Sequence, residues 1–165
     1  MALRIIGVFT LVSLMLGCAA LGTSPDSRES VFFLVRHAEK ADESEDPPLT
    51  KEGRLRAVAL AETLRDAGVE RIYSSDFVRC RETAVPLADL LGLELDLYDQ
   101  KDLPALVETL LASPGRSLVV GHSDTTPELA GLLRGDGGPP IARGEYDRLY
   151  VLSQTGSVTT TVLLR

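Results

Sequence analysis

Two short and almost purely apolar runs constrain the fold of this chain most. They are VFFLV at residues 31–35 and SLVV at residues 117–120. Runs of this length are typical of strands that are buried on both faces, whereas a strand with one solvent-exposed face alternates apolar and polar residues. Strand-forming stretches at 69–75 and 93–98 lie between them and alternate with helical patterns. This order predicts an α/β fold with a mostly parallel sheet and right-handed crossovers.

The stretches between the strands carry helical spacing of apolar residues and typical helix-boundary residues. Thr50 is a predicted N-cap, and Gly68 and Gly92 are predicted to follow helix ends. Four helices are predicted, at residues 50–67, 77–91, 104–112, and from a cap at Asp124, Thr125 or Thr126 to Leu133.

The C-terminal residues have a strand pattern without an intervening helix. Residues 147–154 and 157–165 are rich in β-branched and aromatic residues and flank a turn at Thr155-Gly156. Two such runs around a short turn predict an antiparallel hairpin, here at one edge of the sheet. The predicted fold class is therefore a three-layer α/β sandwich, with a mostly parallel central sheet flanked by helices and an antiparallel C-terminal edge hairpin.

The N-terminal residues resemble an export signal. Arg4 is followed by an uncharged run over 5–17, which is shorter than the roughly 20 apolar residues that cross a bilayer. The run ends in LMLGC, which resembles a bacterial lipobox except at Leu16, so Cys18 is a predicted lipidation site. An ordinary cleaved signal and an uncleaved anchor remain alternatives.

These features predict three segments and a location in the cell envelope. Residues 1–18 form the signal, residues 19–30 a small and polar tether, and residues 31–165 one folded domain. Acyl chains on Cys18 would hold this domain on a membrane surface. Because Ala19 and not aspartate follows the cysteine, the resemblance to exported lipoproteins favours the periplasmic side of the outer membrane.

The charge of the chain excludes one class of partner. Its formal net charge is −7, and its Lys and Arg residues form no long basic stripe of the kind that binds a nucleic-acid backbone. No nucleic-acid partner is expected. A small anionic substrate or a phosphoprotein fits the sequence, because two arginines can dominate one cleft whatever the overall charge.

Three polar clusters follow three of the predicted strands. Arg36-His37 follows the first strand, Arg79 follows the second, and His122 follows the SLVV strand. Because ligands bind beyond the carboxyl ends of strands in open α/β sheets, these residues are expected to share one crevice. The chain has only two histidines, and both belong to this set.

The residue types in this set point to phosphoryl transfer. Two guanidinium groups suit a tetrahedral oxyanion such as phosphate, and the helix starts near Phe77 and Thr125 are expected to add backbone N–H donors. A histidine among arginines stays neutral and nucleophilic, because like charge disfavours its protonated form. This combination favours a phosphohistidine intermediate.

Each of these residues also has a purely structural interpretation. Taken alone, His37 also fits a loop histidine that pairs with Glu39, and His122 fits a residue that ends a strand. Arg36 and Arg79 also fit surface ion-pair partners. Other residues are expected to have structural roles only: Ser74 and Ser75 at a strand end, Cys80 as a bystander, Arg81 in solvent, Asp124 as an N-cap. Cys80 has no disulfide partner if Cys18 is lipidated.

Four ordered motifs resemble the histidine phosphatase superfamily, which is phosphoglycerate-mutase-like. They are LVRHAEK, DPPLTKEGRLRA, IYSSDFVRCRETA and LVVGHSDT, and they extend over most of residues 31–164. The resemblance implies that His37 is the nucleophile, that Arg36 and Arg79 bind the phosphoryl group, and that His122 stabilises the transferring charge. It also implies that no metal or other cofactor takes part.

The resemblance is closest to the short branch, which includes phosphohistidine phosphatases. No inserted segment separates Arg79 from His122, and Ser123 stands directly after His122, so the positions that supply a general acid in longer members are not matched. Glu39 is a candidate catalytic residue that either orients the site, serves as the acid, or accepts from a nearby arginine. Asp99 is a second candidate acid.

The sequence thus predicts a metal-independent phosphatase that transfers a phosphoryl group to His37 and then to water. Its substrate is a small phosphomonoester or a phosphohistidine. The alternatives are a non-catalytic lipoprotein that binds phosphorylated ligands, a phosphomutase, and a metal hydrolase that uses Asp124 and Glu39 beside the histidines. The metal site is disfavoured because two arginines in the crevice would repel a cation.

Overall fold

The computed structural model describes residues 29–165, and these residues form one six-stranded sheet between two pairs of helices. The predicted signal, Cys18 and the tether up to residue 28 lie outside the described residues. The elements are β1 (Ser30–Arg36), α1 (Lys51–Leu64), β2 (Arg71–Ser75), α2 (Val78–Leu91), β3 (Leu95–Tyr98), α3 (Leu103–Ala112), β4 (Arg116–Gly121), α4 (Thr125–Leu132), β5 (Leu149–Thr155) and β6 (Val158–Leu164).

The strand order confirms the predicted fold class. The sheet runs β3-β2-β4-β1-β5-β6. The β3-β2, β2-β4 and β4-β1 pairs are parallel, and the β1-β5 and β5-β6 pairs are antiparallel. Because β1 lies inside the sheet, both of its edges are paired, and the carboxyl ends of β1, β4, β2 and β3 reach one edge of the sheet side by side.

The alternation of side chains along β1 explains why its sequence is apolar throughout. Val31, Phe33 and Val35 pack into a core that is covered by α1 and α2. Phe32 and Leu34 point to the other face and pack into a second core under α3 and α4. All seven residues of β1 are buried, as expected for a strand between two helical layers.

Most helix boundaries agree with the predictions, but the predicted end of α1 and the predicted position of the hairpin turn are wrong. The Thr50 hydroxyl accepts from the Gly53 N–H as an N-cap does, and Gly92 ends α2 with a φ of 66°. However, α1 ends at Leu64, because the chain turns there and the Ala67 N–H donates to the Leu64 carbonyl. The edge hairpin turns at residues 156–157, since Thr155 already pairs with Val158.

The segment that follows His37 doubles back and lies close against α1. Lys40 and Leu49 form an isolated antiparallel bridge, which closes the acidic loop at residues 41–48. A Cβ on Gly53 would lie 2.4 Å from the backbone oxygen of Glu39, so only glycine allows this approach. The loop is thereby held at the edge of the sheet where the polar clusters meet.

Within residues 29–165 there is no helix with the length and apolar character needed to cross a bilayer. The same part of the chain contains no group of three or more His, Cys, Asp or Glu residues arranged to hold a metal ion.

Candidate active site

The two histidines and two arginines of the predicted site meet at the carboxyl edge of the sheet. Arg36 ends β1 and His37 follows it, Arg79 lies in the first turn of α2 beyond β2, and His122 follows β4. The centroids of the two imidazole rings are 5.4 Å apart. A crevice of about 320 Å³ opens between these groups, and its lining residues are Arg36, His37, Lys40, Arg79, Gln100, His122, Ser123 and Asp124.

The protonation of His37 is fixed by the backbone. Its Nδ1 lies 2.7 Å from the carbonyl oxygen of Ala38, which can only accept a hydrogen bond. Nδ1 therefore carries the proton of the neutral ring, and the lone pair is on Nε2. No group in the described part of the chain hydrogen-bonds to Nε2. His37 thus presents an unprotonated ring nitrogen that is free to attack.

His37 is held in the neutral form. Its side chain is buried, and the pKa of His37 is lowered to about 3. Burial is the largest cause, and the charges of Arg36 and Arg79 and the neighbouring His122 act in the same direction against the opposing effect of the Ala38 carbonyl. At neutral pH the imidazole is consequently neutral and not a cation.

His122 is held as the opposite tautomer. Arg79 Nη2 lies 3.4 Å from Nδ1 of His122, and because a guanidinium only donates, Nδ1 accepts. The proton of the neutral ring is then on Nε2, which donates to the Ser75 hydroxyl at 2.9 Å. Burial and the Arg79 charge lower the pKa of His122 to about 4, with Asp124 opposing them.

Arg36 is anchored on one side and open on the other. Its Nη1 donates to the carbonyl oxygens of Ala142, Arg143 and Glu145 at 2.9–3.0 Å. The guanidinium carbon lies 4.2 Å from the centroid of the Tyr146 ring. The Nε atom is buried without a hydrogen-bond partner in the part of the chain that the structure describes. Arg36 is therefore rigid and retains donor capacity for a ligand.

Arg79 is arranged in a similar way. Its guanidinium carbon lies 4.3 Å from the centroid of the Phe77 ring, and Nη1 lies 3.7 Å from a carboxylate oxygen of Asp46. Its Nε is also buried without a partner among residues 29–165. Two guanidinium groups and two neutral histidines thus line one crevice, an arrangement that suits an oxyanion.

The expected contribution of the helix N-termini is wrong in detail. The Val78 N–H at the start of α2 donates to the Asp46 carboxylate at 2.8 Å. The Thr125 N–H at the start of α4 donates to the Asp124 carboxylate at 2.9 Å, which confirms Asp124 as an N-cap. These acidic side chains therefore already occupy the first backbone donor of each helix.

Glu39 does not line the crevice. Both of its carboxylate oxygens accept from Arg56 on α1, at 2.6–3.0 Å. Burial alone would raise the pKa of Glu39, but the hydrogen bonds from Arg56 outweigh that effect and lower it. Of the roles predicted for Glu39, the structure shows the acceptor of a nearby arginine. Asp99 likewise lies outside the crevice lining.

Sequence reasoning missed several contacts around the two histidines. Ser75, expected only to end a strand, accepts from His122 Nε2–H and orients its ring, whereas Ser74 donates to the backbone as expected. Cys80 Sγ lies 3.7 Å from His122 Nε2, but burial raises the pKa of this thiol to about 12, which makes it a poor nucleophile. Arg81 pairs with Asp76.

A larger cavity lies on the other side of Arg36. It has a volume of about 460 Å³ and is enclosed mainly by apolar parts of α1 and the edge hairpin, among them Leu60, Leu149 and Leu164. Neither histidine lines it. The chemistry is therefore assigned to the smaller crevice, where the groups with the perturbed pKa values converge.

Comparison of the sequence with known proteins gives a partial family match. Residues 32–103 match the family model of the histidine phosphatase superfamily (branch 1), a stretch that includes Arg36, His37 and Arg79 but not His122. A protein named "Probable phosphoglycerate mutase GpmB" from Yersinia enterocolitica is 36% identical over 70 residues, which are 38% of this chain. The aligned stretch spans only 33% of that relative's length.

Comparison of the structure extends the likeness to the whole domain. A protein histidine phosphatase SixA complexed with tungstate superposes with a TM-score of 0.64 at 20% identity, covering 82% of this chain and 94% of its own. A mycobacterial glucosyl-3-phosphoglycerate phosphatase superposes with a TM-score of 0.65 at 19% identity, covering 82% and 97%. At this identity the likeness shows a shared fold. The sequence likeness to the histidine phosphatase superfamily thus extends over residues 32–103, and beyond them the structural neighbours share the fold.

Proposed function

We propose that this protein is a metal-independent phosphatase that uses His37 as a covalent nucleophile. The observation that carries the proposal is the hydrogen bond between His37 Nδ1 and the Ala38 carbonyl. It leaves the lone pair on Nε2, beside two arginines with unpaired buried donors. Nucleophile and anion-binding groups therefore share one crevice, as a phosphohistidine intermediate requires.

The two chemical steps follow from this arrangement. Arg36 and Arg79 bind the phosphoryl oxygens, and His37 Nε2 attacks phosphorus while the bond to the leaving group breaks and the leaving group takes its electron pair. Nδ1 keeps its proton throughout, so the ring needs no base. Water then attacks the phosphoryl group, inorganic phosphate departs, and the Nε2 lone pair is restored.

His122 contributes to the same transfer through Arg79. It orients Arg79 through the contact of its Nδ1 with Nη2, and it is itself oriented by Ser75. A bound phosphoryl dianion raises the pKa of a neighbouring imidazole, because opposite charge favours the protonated form. We expect His122 to offset charge that develops on the transferring group.

The crevice favours leaving groups that need little protonation. Asp124 is the only carboxylate that lines it in the described part of the chain, and Asp124 is engaged as the N-cap of α4. The leaving groups of aryl phosphates and of phosphoramidates, phosphohistidine among them, depart without strong help from an acid. The names of the structural neighbours support this proposal, since one is a protein histidine phosphatase and another a phosphatase of a phosphorylated small molecule.

We further propose that the domain works in the cell envelope, tethered to a membrane surface by acyl chains on Cys18. The support is the sequence of residues 1–18, with its early cation, apolar run and lipobox-like end. Metabolic labelling of the producing cells with a fatty-acid analogue is expected to mark the wild-type chain and not the Cys18→Ala variant. Equal labelling of both chains would contradict the assignment.

Turnover measurements on the full-length chain test the phosphatase. We expect hydrolysis of a simple aryl phosphate that persists in excess chelator and is lost in His37→Ala. Activity that disappears with chelator would indicate the metal hydrolase. Phosphate binding by the wild type without turnover would indicate a non-catalytic phospho-ligand-binding protein, and an isomerised phosphate ester as the main product would indicate a phosphomutase.

A further inference from the structure

A second groove adjoins the crevice at the β3 end of the sheet edge. It has a volume of about 460 Å³, and its lining includes Phe77, Leu97, Tyr98 and Gln100. Gln100 lines both this groove and the crevice, so the two spaces are continuous at that residue. Phe77 also belongs to both sides, because its ring supports Arg79 and packs edge-on against His122.

The order of the strands places the two neighbouring spaces on opposite sides of the nucleophile. Along the sheet edge, His37 stands at β1, His122 at β4, Arg79 at β2, and the groove at β3. The larger cavity lies beyond Arg36 on the side of the edge hairpin, and neither histidine lines it. In an in-line displacement the leaving group lies opposite the attacking nitrogen. The groove, which shares Gln100 with the crevice, is therefore the candidate space for that group.

The chemistry of the groove selects what can lie in it. Leu97 is 54% exposed and lines the groove, and the Phe77 ring forms an apolar wall beside it. The charged groups in the lining are Asp76, Asp99 and Lys101, of which two are carboxylates. Asp76 is paired with Arg81, which leaves Asp99 and Lys101 as one charge of each sign. An apolar or aromatic group gains by covering the leucine and phenylalanine, whereas a second anionic group gains nothing from this apolar surface.

We infer that the groove at Phe77, Leu97 and Tyr98 binds the leaving group of the substrate, and that this group is aromatic or apolar and carries no further negative charge. The inference rests on the proposed phosphatase and names its substrate class. Esters of sugars and of carboxylate-bearing alcohols are then poor substrates, because they bring polar or anionic groups against the apolar wall. Phosphorylated aromatic groups fit both the groove and the lack of a free acid in the crevice.

Binding of phosphonates that cannot be hydrolysed tests the groove separately from catalysis. Phenylphosphonate, 2-naphthylphosphonate and 4-carboxyphenylphosphonate are titrated calorimetrically into the full-length wild-type chain and into Leu97→Ser. Leu111→Ser on α3 is a matched control, since Leu111 is similarly exposed and lines none of the three cavities. We expect the wild type to bind the naphthyl compound about tenfold more tightly than the phenyl compound, and the carboxyphenyl compound more weakly.

The expected result is that Leu97→Ser loses most of the naphthyl preference and that Leu111→Ser keeps it. Equal affinity of the wild type for the phenyl and naphthyl compounds would overturn the inference, as would an unchanged preference in Leu97→Ser. The matching aryl phosphates are then assayed for turnover. Selective phosphonate binding without turnover would refute the phosphatase activity but not the binding of an apolar group in the groove. Turnover without selectivity would refute only the binding of that group in the groove.

Discussion

Burial of two neutral histidines predicts a steep loss of stability in mildly acidic solution. In the unfolded chain each histidine has a pKa near 6.5, whereas the folded protein lowers the pKa of His37 to about 3 and of His122 to about 4. Below pH 6.5 the unfolded state therefore binds protons that the folded state does not. Stability is full above this pH and falls as the pH decreases towards the folded-state values.

The size of the effect follows from the two pKa values. Each pH unit between the unfolded and folded pKa costs about 1.4 kcal/mol per histidine, so at pH 5 each histidine costs about 2 kcal/mol and the pair about 4 kcal/mol. Arg148 lowers the pKa of Glu145 to about 2, so the stability that this carboxylate contributes is lost only below its unfolded-state pKa of about 4.3, outside this window.

Urea denaturation at pH 7, 6 and 5 measures this loss. We expect the free energy of unfolding of the wild type to fall by about 4 kcal/mol over this range, and that of His37→Asn or His122→Asn by about half as much. The double variant contains no histidine, because the chain has only two, and its stability is expected to change little. A wild type of constant stability, or an unchanged slope in the double variant, would refute the assigned protonation states.

Three substitutions examine other groups of the site. Arg79→Lys removes the fork that contacts His122, and we expect inorganic phosphate to bind about 30-fold more weakly in calorimetry; unchanged affinity would argue against phosphate binding by Arg79. Ser75→Ala leaves His122 Nε2–H without its acceptor, which is expected to cost about 1–3 kcal/mol in urea denaturation and to lower kcat more than it raises KM; unchanged kcat would contradict a positioning role. Glu39→Gln weakens the pair with Arg56 outside the crevice, so kcat/KM is expected to stay within about threefold of wild type; a hundredfold loss would restore Glu39 as a catalytic residue.

The fold was predictable from the sequence because its strongest patterns are local. The apolar run at residues 31–35 is long enough to require burial on both faces, and β1 does lie inside the sheet between β4 and β5. The end of α1 was not predictable in the same way. Residues 65–67 suit a helix by composition, but the chain turns after Leu64 to place Val69 in the core below β2.

The candidate site was predictable where a residue follows a strand and not where it depends on a distant segment. Arg36, His37 and His122 are set by the strands that precede them. The carbonyl oxygens that hold Arg36 come from residues 142–145, more than a hundred positions away, in a stretch without helix or strand. Tyr146 lies in the same stretch, and no local pattern marks it as the ring under Arg36.

The most direct test of the account is to trap the phosphorylated enzyme. The full-length chain is mixed with radiolabelled phosphoramidate or acetyl phosphate, quenched within one turnover, and mapped by mass spectrometry. We expect one phosphoryl group per chain, labile in acid and stable in alkali, on Nε2 of His37, and none in His37→Asn. Label that persists in His37→Asn, or rapid turnover of the wild type with no labelled enzyme, would contradict covalent catalysis by His37.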